Sequence, residues 1–297
     1  MRAPPLPDPL SAERRELNGR AGRMALWSAG RGAPVLLLHS INAAASAYEI
    51  RPAFEAVTSV RRAYAPDLPG FGASDRSDRR YDVALYVAAI DDALDAIAEE
   101  CGEEPVDVLA LSLSSEFAAR VATRRSERVR TLTLVTPTGL DRRSASLRAP
   151  PGTDREVPGV HRVLSQRLWS QGLFDALTSR PSVRYFLRRT FGAESIDEGL
   201  WEYSWTTARQ PGARHAPLAF LSGRLFSKDI RDVYERLAMP VWVPHGTRGD
   251  FKDFSGADWT ASRGNWRLQP FESGALPHFE HPVAFGQSFR AFLGMPA

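Results

Sequence analysis

The chain has 297 residues, of which 43% are hydrophobic and 25% charged, and its formal net charge is +3. This composition excludes disordered, collagen-like and coiled-coil proteins, and the length suits one large domain or a domain with an insertion. Of the 38 basic residues only Lys228 and Lys252 are lysines, and 35 acidic residues are interspersed with the arginines. A nucleic-acid binder is expected to cluster its positive charge, so we expect no nucleic-acid partner.

The cysteine content and the first residues favour a cytoplasmic protein. Cys101 is the single cysteine, which excludes an internal disulfide and a cysteine-based zinc site. The proline-rich residues 1–10 lack the continuous apolar segment of a secretory signal. No segment approaches the roughly 18 apolar residues of a membrane span. We therefore expect no membrane association, no metal and no cofactor, and the oligomeric state is not indicated.

Short apolar runs bounded by turn residues predict strands that are buried in a parallel sheet. Between these runs lie helical patterns, of which residues 81–101 are the clearest, with apolar side chains on one face. Strands that alternate with helices predict a doubly wound α/β sheet. The predicted strands are residues 24–27, 34–39, 106–111, 129–135 and 240–243.

The alternation stops after Gly139, where the sequence becomes rich in arginine and aromatic residues. The spacing of the aromatic residues predicts short helices, and the strand–helix alternation resumes at Met239. We interpret this region as an inserted lid. The predicted organisation is a proline-rich N-terminal tail at 1–19, a core formed by 20–140 and 234–297, and a helical lid at 141–233.

A candidate nucleophile follows the predicted strand at 106–111. Ser112 has the small residues Ala110 and Ser114 two positions away on either side, and a helical segment follows. A serine on a strained strand-to-helix turn needs such small neighbours, because the turn brings its backbone close to adjacent elements. An ordinary serine that caps a helix is the alternative.

Two further motifs accompany Ser112: H-S-I-N at 39–42, after a predicted strand, and D-L-P-G-F-G-A-S at 67–74. With these motifs the chain resembles the α/β-hydrolase fold family over about residues 20–140 and 235–295. That family has H-G-x-x and D-x-P-G-x-G-x-S at these places, so Ser40 replaces a glycine. The resemblance implies an α/β-hydrolase fold with Ser112 as nucleophile and the backbone amides of Ile41 and Leu113 as oxyanion donors.

The resemblance also implies an acid on the loop after the predicted strand 240–243. Asp250 fits this role best, and Asp253 is the reserve. The family's base histidine is expected in a G-H-x-P-x-x-E-x-P segment near the end of the chain. Residues 274–282 align with that segment without a gap, but Ala275 occupies the position of the base. A triad of the usual geometry is therefore not encoded.

Three interpretations of the missing base are open. His278, three residues further on, could reach the serine if the loop is reshaped. His245, at the end of the strand before the acid loop, or His215, in the lid, could supply the base instead. Alternatively no base operates, and the protein binds a ligand or performs chemistry that needs only polarisation.

Four other residues are candidates for the pocket. Ser40 makes the region around Ser112 more polar than a glycine-rich turn. Glu116 could orient a base if it faces the pocket, and it favours the helix N-terminus if it faces solvent. Trp201 and Trp205 could line an apolar cleft or form the core of the lid itself.

From these observations we expect a serine-dependent hydrolase or acyl transferase. Its substrate would be a small to medium apolar ester, lactone, thioester or related carbonyl compound. Ser112 would attack, His278 would act as the base and Asp250 would orient it. The alternative is a non-hydrolytic member of the fold, either lyase-like, a catalyst of cofactor-free chemistry or a ligand-binding protein.

Overall fold

A computed structural model describes residues 4–295. Within this range the strands form one 8-stranded sheet in the order β1-β2-β4-β3-β5-β6-β7-β8. The first two strands run antiparallel to their neighbours, and the other pairings are parallel. The strands are β1 (Glu13–Gly19), β2 (Gly22–Ala29), β3 (Pro34–Leu38), β4 (Arg62–Pro66), β5 (Val106–Leu111), β6 (Val129–Val135), β7 (Val241–Gly246) and β8 (Trp266–Phe271).

Helices cover both faces of the sheet and alternate with most of its strands. Apart from short 3-10 turns, they are α1 (Arg51–Val57), α2 (Val83–Cys101), α3 (Ser114–Arg124), α4 (Arg142–Ala145), α5 (Val160–Leu164), α6 (Ser170–Leu177), α7 (Arg180–Phe191), α8 (Glu198–Ala208), α9 (His215–Leu221), α10 (Ile230–Glu235), α11 (Pro277–Glu280) and α12 (Pro282–Phe292).

The continuous apolar runs form strands because both of their faces are buried. In β3, Leu36 and Leu38 pack into a core with α2 and α3, whereas Val35 and Leu37 pack into a second core with α1 and α12. A period of two along a strand sends neighbouring side chains to opposite faces. The predicted α/β class, with a mostly parallel sheet, is confirmed.

Two segments outside the apolar runs complete the architecture. Residues 13–19, which the sequence placed in the tail, form edge strand β1 and pair with β2. Their charged, exposed side chains are typical of an edge strand, and they hide its pairing from a search for apolar runs. Helices α4 to α10 lie between β6 and β7, where the lid was predicted.

No helix within residues 4–295 is long and apolar enough to cross a membrane. Over the same residues, no group of three or more histidine, cysteine, aspartate or glutamate side chains is arranged to hold a metal ion. The loops that follow β3, β5, β6 and β8 meet at one edge of the sheet, as expected for the carboxyl ends of parallel strands.

Candidate active site

Ser112 occupies a strained turn between β5 and α3. Its φ is +55°, in the left-handed region that residues other than glycine rarely adopt. The Ser112 amide donates to the carbonyl of Val135 at 2.9 Å, and Ser112 O accepts from the amide of Ser115 at 3.1 Å. Ala110 and Ser114 are fully buried beside the turn, and Ser114 Oγ donates to the carbonyl of His39. The small neighbours therefore fix a serine in a backbone conformation that costs free energy.

Two backbone amides lie beside Ser112 without a partner. Ile41 and Leu113 line the same cavity as the serine. In the part of the chain that the structure describes, neither amide donates a hydrogen bond. Two free N–H groups next to a strained serine can stabilise negative charge on a carbonyl oxygen.

The cavity around Ser112 has a volume of about 140 Å³. This is well below the roughly 300 Å³ at which ligand pockets usually begin, so only a small ligand fits. Its outer wall comes from the lid, with Leu187 on α7, Leu200 on α8 and Phe220 on α9. The lining residues are Ser40, Ile41, Asn42, Glu49, Leu111, Ser112, Leu113, Thr136, Thr138, Leu187, Thr190, Leu200, Phe220, Phe226, Phe251, Ala275 and Leu276.

Glu49 is the ionisable side chain in this lining, and it lies on the 3-10 helix Ala47–Ile50. Its residue is 7% exposed. Oε2 accepts a hydrogen bond from the amide of Ser40 at 2.9 Å, and Oε1 accepts one from Asn42 Nδ2 at 2.6 Å. Asn42 Nδ2 also donates to Ser40 Oγ at 2.8 Å. The motif after β3 therefore holds a buried carboxylate at the cavity of Ser112.

Ala275, at the position where the family has its base, is held by backbone contacts with α7. The amide of Ala275 donates to the carbonyl of Thr190 at 2.8 Å, near the end of α7. The carbonyl of Ala275 accepts from Thr136 Oγ1 at 2.9 Å. A Cβ atom added to Gly274 would lie 2.2 Å from Thr190 O, so α7 and this segment pack backbone to backbone. The cavity wall at Ala275 is a tightly fitted seam.

Asp250 is bound to the same end of α7. Arg189 Nε donates to Asp250 Oδ2 at 2.6 Å, and the amide of Asp250 donates to the carbonyl of Arg189 at 3.3 Å. The Asp250 side chain is 41% exposed and does not line the cavity of Ser112. Asp253 Oδ1 accepts from Ser255, which holds the pKa of Asp253 below its usual value. Neither aspartate contacts an imidazole in the described residues.

His278 lies in the core beside the cavity and is not part of its lining. The ring is 1% exposed, and Nε2 donates to the carbonyl of Glu49 at 2.7 Å. Burial lowers the pKa of His278 to about 4, so the ring is neutral near pH 7. Since the single N–H is at Nε2, the unpaired nitrogen is Nδ1, which is buried. His278 is therefore outside the cavity lining that contains Ser112, and its role as a base stays a prediction.

The other histidine candidates also lie away from the cavity lining. His215 begins α9 and pairs with Asp78 at 3.5 Å. His245, in β7, donates from Nδ1 to the carbonyl of Gly246 at 3.1 Å, and its ring packs against Phe254. Burial lowers the pKa of both imidazoles. No imidazole therefore lines the cavity within residues 4–295.

Glu116 faces neither solvent nor the cavity, because it is fully buried in α3 and is not part of the cavity lining. Oε1 accepts from Thr138 Oγ1 at 2.5 Å, and Oε2 accepts from the amide of Ser227 at 2.9 Å. Burial raises the pKa of the Glu116 carboxyl. This carboxyl group joins α3 to the loop after β6 and to the segment between β6 and β7.

Trp201 and Trp205 of α8 contact α7 and are not part of the cavity lining. The guanidinium of Arg180 lies 5.0 Å from the ring centroid of Trp201 and 4.2 Å from that of Trp205. Trp201 Nε1 donates to the carbonyl of Arg180 at 3.1 Å. The two tryptophans therefore join α8 to α7, and Leu200 is the side chain of α8 that reaches the cavity.

A second cavity of about 220 Å³ adjoins the first and opens between the core and the lid. The two cavities share Thr136, Thr138, Phe226 and Phe251. The outer cavity is more polar, because its lining includes Asp141, Asp250, Asp253 and Arg155.

The cavity lining contains polar residues that the sequence did not single out as site residues, among them Asn42 and Glu49. Asn42 belongs to the motif at 39–42, so a polar residue there was visible. Glu49 follows eight residues after Ile41 and has no local pattern that marks it. Its place is set by the turn of the 3-10 helix after the loop and by the contact of Glu49 O with His278.

Comparison with known proteins agrees with this architecture. A sequence model of the Alpha/beta hydrolase family matches residues 35–287. A 2-hydroxymuconate semialdehyde hydrolase of Pseudomonas putida is 32% identical over 127 residues, which are 42% of this chain and 44% of that protein. The match thus spans less than half of the relative's length.

Solved structures extend the likeness to nearly the whole chain. A serine hydrolase involved in carbazole degradation is 18% identical, with a TM-score of 0.74 over 96% of this chain and 99% of that one. The meta-cleavage product hydrolase CumD of Pseudomonas fluorescens IP01 is 20% identical, with a TM-score of 0.71 over 94% and 97%. At these identities the structures show the fold alone. Because the family model spans well over half of its length, the chain belongs to the alpha/beta hydrolase family.

Proposed function

We propose that the protein is a serine-dependent hydrolase or acyl transferase for small carbonyl compounds, with Ser112 as nucleophile. The observation that carries this proposal is the strained φ of +55° at Ser112 beside the free amides of Ile41 and Leu113. Strain of this kind persists where the surrounding structure imposes it, and it is common at active sites. A serine that only caps a helix needs neither the strain nor the two amides.

The cavity favours a small, largely apolar acyl group. Leucine and phenylalanine side chains form much of its wall, and its volume is about 140 Å³. The relatives named above as hydrolases of 2-hydroxymuconate semialdehyde and of meta-cleavage products support a carbonyl compound as the substrate class. We expect esters of short acids to react faster than those of long acids.

A second candidate function is the binding of a ligand without turnover. It is favoured by Ala275 and by the absence of an imidazole from the cavity lining within the described residues. Loss of a triad member typically lowers turnover by about 10⁴ to 10⁶. In this case the strained serine would be a remnant of the fold, and the cavity would hold an unreacted ligand.

Covalent labelling with a fluorophosphonate separates the two functions. The hydrolase predicts that the folded protein becomes labelled at Ser112, as located by peptide mass spectrometry, and that Ser112→Ala abolishes the label. The same variant should lose hydrolysis of p-nitrophenyl acetate by at least about 10³-fold. A folded wild-type protein that takes up no label would exclude the hydrolase in favour of the binding protein.

The neighbouring serine provides a matched control. Ser115 is fully buried, and its Oγ donates to the carbonyl of Ala110 at 3.2 Å, outside the cavity lining. Ser115→Ala should be labelled like the wild type. A loss of label in both variants would mean that either substitution disturbs the turn, and peptide mass spectrometry of the labelled wild type would then decide whether Ser112 carries the label.

A further inference from the structure

A serine nucleophile needs a group in its cavity that takes up the proton of its hydroxyl. Histidine is the usual choice, and none lines this cavity within the described residues. The lining contains one ionisable carboxylate, Glu49, and the remaining polar groups are hydroxyls and one amide. Resting on the proposed function, the geometry points to Glu49 as the acid–base group that replaces the missing histidine.

The electrostatic setting of Glu49 supports this role. The carboxylate is 7% exposed and forms no ion pair within residues 4–295. A buried polar group must be held by hydrogen bonds or a charged partner, and the amide of Ser40 and the side chain of Asn42 supply the hydrogen bonds here. Asp92, with a similar exposure of 6%, is by contrast paired with Arg20. The unpaired carboxylate thus occurs where the chemistry requires a base.

The hydrogen bonds of Glu49 aim the carboxylate and leave it acceptor capacity. Each oxygen receives one N–H, from Ser40 and from Asn42, and a carboxylate oxygen can accept more than one. Asn42 Oδ1 accepts from the amide of Ala44 at 2.7 Å, which fixes the orientation of the Asn42 amide. Ser40 Oγ accepts from the same Asn42. The serine that replaces the family's glycine is therefore part of the support of Glu49.

His278 acts on Glu49 through the backbone. Its Nε2–H donates to Glu49 O and anchors the 3-10 helix that carries the carboxylate. His278 is thus a positioning residue, three residues beyond the point where the family places its base. The segment that lost the base still controls where the replacement lies.

The chemical step balances without any further reagent. As Ser112 Oγ forms a bond to the carbonyl carbon, its proton passes to the Glu49 carboxylate, directly or through one water. The bond to the leaving alcohol then breaks, and Glu49 returns the proton to that oxygen. Water then attacks the acyl-serine and gives a proton to Glu49. Glu49 returns this proton to Ser112 Oγ as the bond between Oγ and the acyl carbon breaks, which releases the acid and regenerates the free enzyme.

The test compares Glu49→Gln with Glu49→Asp. Glutamine preserves the shape but is not basic, whereas aspartate is basic but shorter by one methylene. Acid–base catalysis typically contributes about 10² to 10⁴, so we expect Glu49→Gln to lower the rate of fluorophosphonate labelling about 100-fold and Glu49→Asp to lower it less. A merely structural carboxylate would give the reverse order, because glutamine fits the space better.

Asp107 gives a matched control on β5, the strand that leads to Ser112. It is 1% exposed, accepts from Thr131 Oγ1 at 2.8 Å and lies outside the cavity lining. Asp107→Asn should be labelled at the wild-type rate, and thermal unfolding should establish that every variant is folded.

The outcomes separate the two proposals. If the wild type is labelled at Ser112 but Glu49→Gln reacts as fast as Glu49→Asp or faster, the role of Glu49 is overturned and the hydrolase stands. If the folded wild type is not labelled, both proposals fall.

Discussion

The turn that carries Ser112 and the segment that contains Ala275 differ in how their backbones are bonded. Around Ser112 the backbone is strained, and the amides of Ile41 and Leu113 donate no hydrogen bond within the described residues. At Ala275, which lines the cavity, and at Asp250, which lies outside its lining, the chain is instead bonded to the end of α7. The comparison teaches that strain and free backbone amides at Ser112 coexist with a segment at Ala275 that backbone hydrogen bonds hold against α7. Three experiments can break or sharpen this contrast.

The largest effect is expected for the pH dependence of stability at His278. Burial lowers its pKa to about 4 in the folded protein, against about 6.5 when unfolded. As the pH falls from 7 to 4 the unfolded chain therefore binds the proton first, and up to about 3 kcal/mol of unfolding free energy is lost. His278→Gln cannot take up this proton, so its stability should change less over that range. Urea unfolding at pH 4, 5.5 and 7 measures the difference.

The buried His39 is present in both proteins, so its protonation cancels in this comparison. Equal pH slopes for wild type and His278→Gln would show that the His278 ring is not held neutral in the core. It would then be free to act as the base that the sequence suggested.

A smaller effect is expected at the seam between α7 and the segment of Ala275. An added Cβ at Gly274 would lie 2.2 Å from Thr190 O, so Gly274→Ala should lower the unfolding free energy by about 1 to 3 kcal/mol. Gly172→Ala, in α6 with no atom within 4 Å of the new Cβ, should be neutral or stabilising. Denaturant unfolding compares them. Equal stability of the two variants would contradict the close packing of this seam.

The smallest effect is a gain of reactivity when the family's base is restored. Ala275→His adds an imidazole to the lining, and Arg189→Ala releases Asp250 to orient it. We expect the double variant to react with fluorophosphonate about tenfold faster than wild type, a small part of what a tuned base contributes. Arg189→Ala alone should leave the rate unchanged, because Asp250 then has no imidazole to contact. A double variant no faster than the wild type would show that α7 leaves no room for a working base.

The sequence predicts the fold and the surroundings of Ser112 because both depend on local patterns. Apolar runs mark the central strands, and short motifs place Ser40, Ile41, Ser112 and Leu113, all of which line the cavity. The edge strand β1 escaped because its side chains are charged and exposed.

The places of Asp250, His278 and Glu49 depend on contacts between distant parts of the chain, which no local pattern encodes. Arg189 and Asp250 are 61 residues apart in the chain, and His278 and Glu49 are 229 apart. Glu49 and Glu116 look alike as single acidic residues ahead of or within a helix. Only packing decides that one lines the cavity and that the other is sealed between Thr138 and Ser227.

The attachment of α7 to two loops bears on how a ligand would be exchanged. Movement of the end of α7 away from the core would break the hydrogen bonds that the amides of Ala275 and Asp250 donate to it. The outer cavity shares Thr136, Thr138, Phe226 and Phe251 with the inner one, and the two phenylalanine side chains can rotate without breaking a backbone hydrogen bond. Rotamer changes of this kind are far faster than the displacement of a lid. Exchange of a ligand by rotation of these side chains would therefore leave the bonds between α7 and the two loops intact, whereas exchange by movement of α7 would break them.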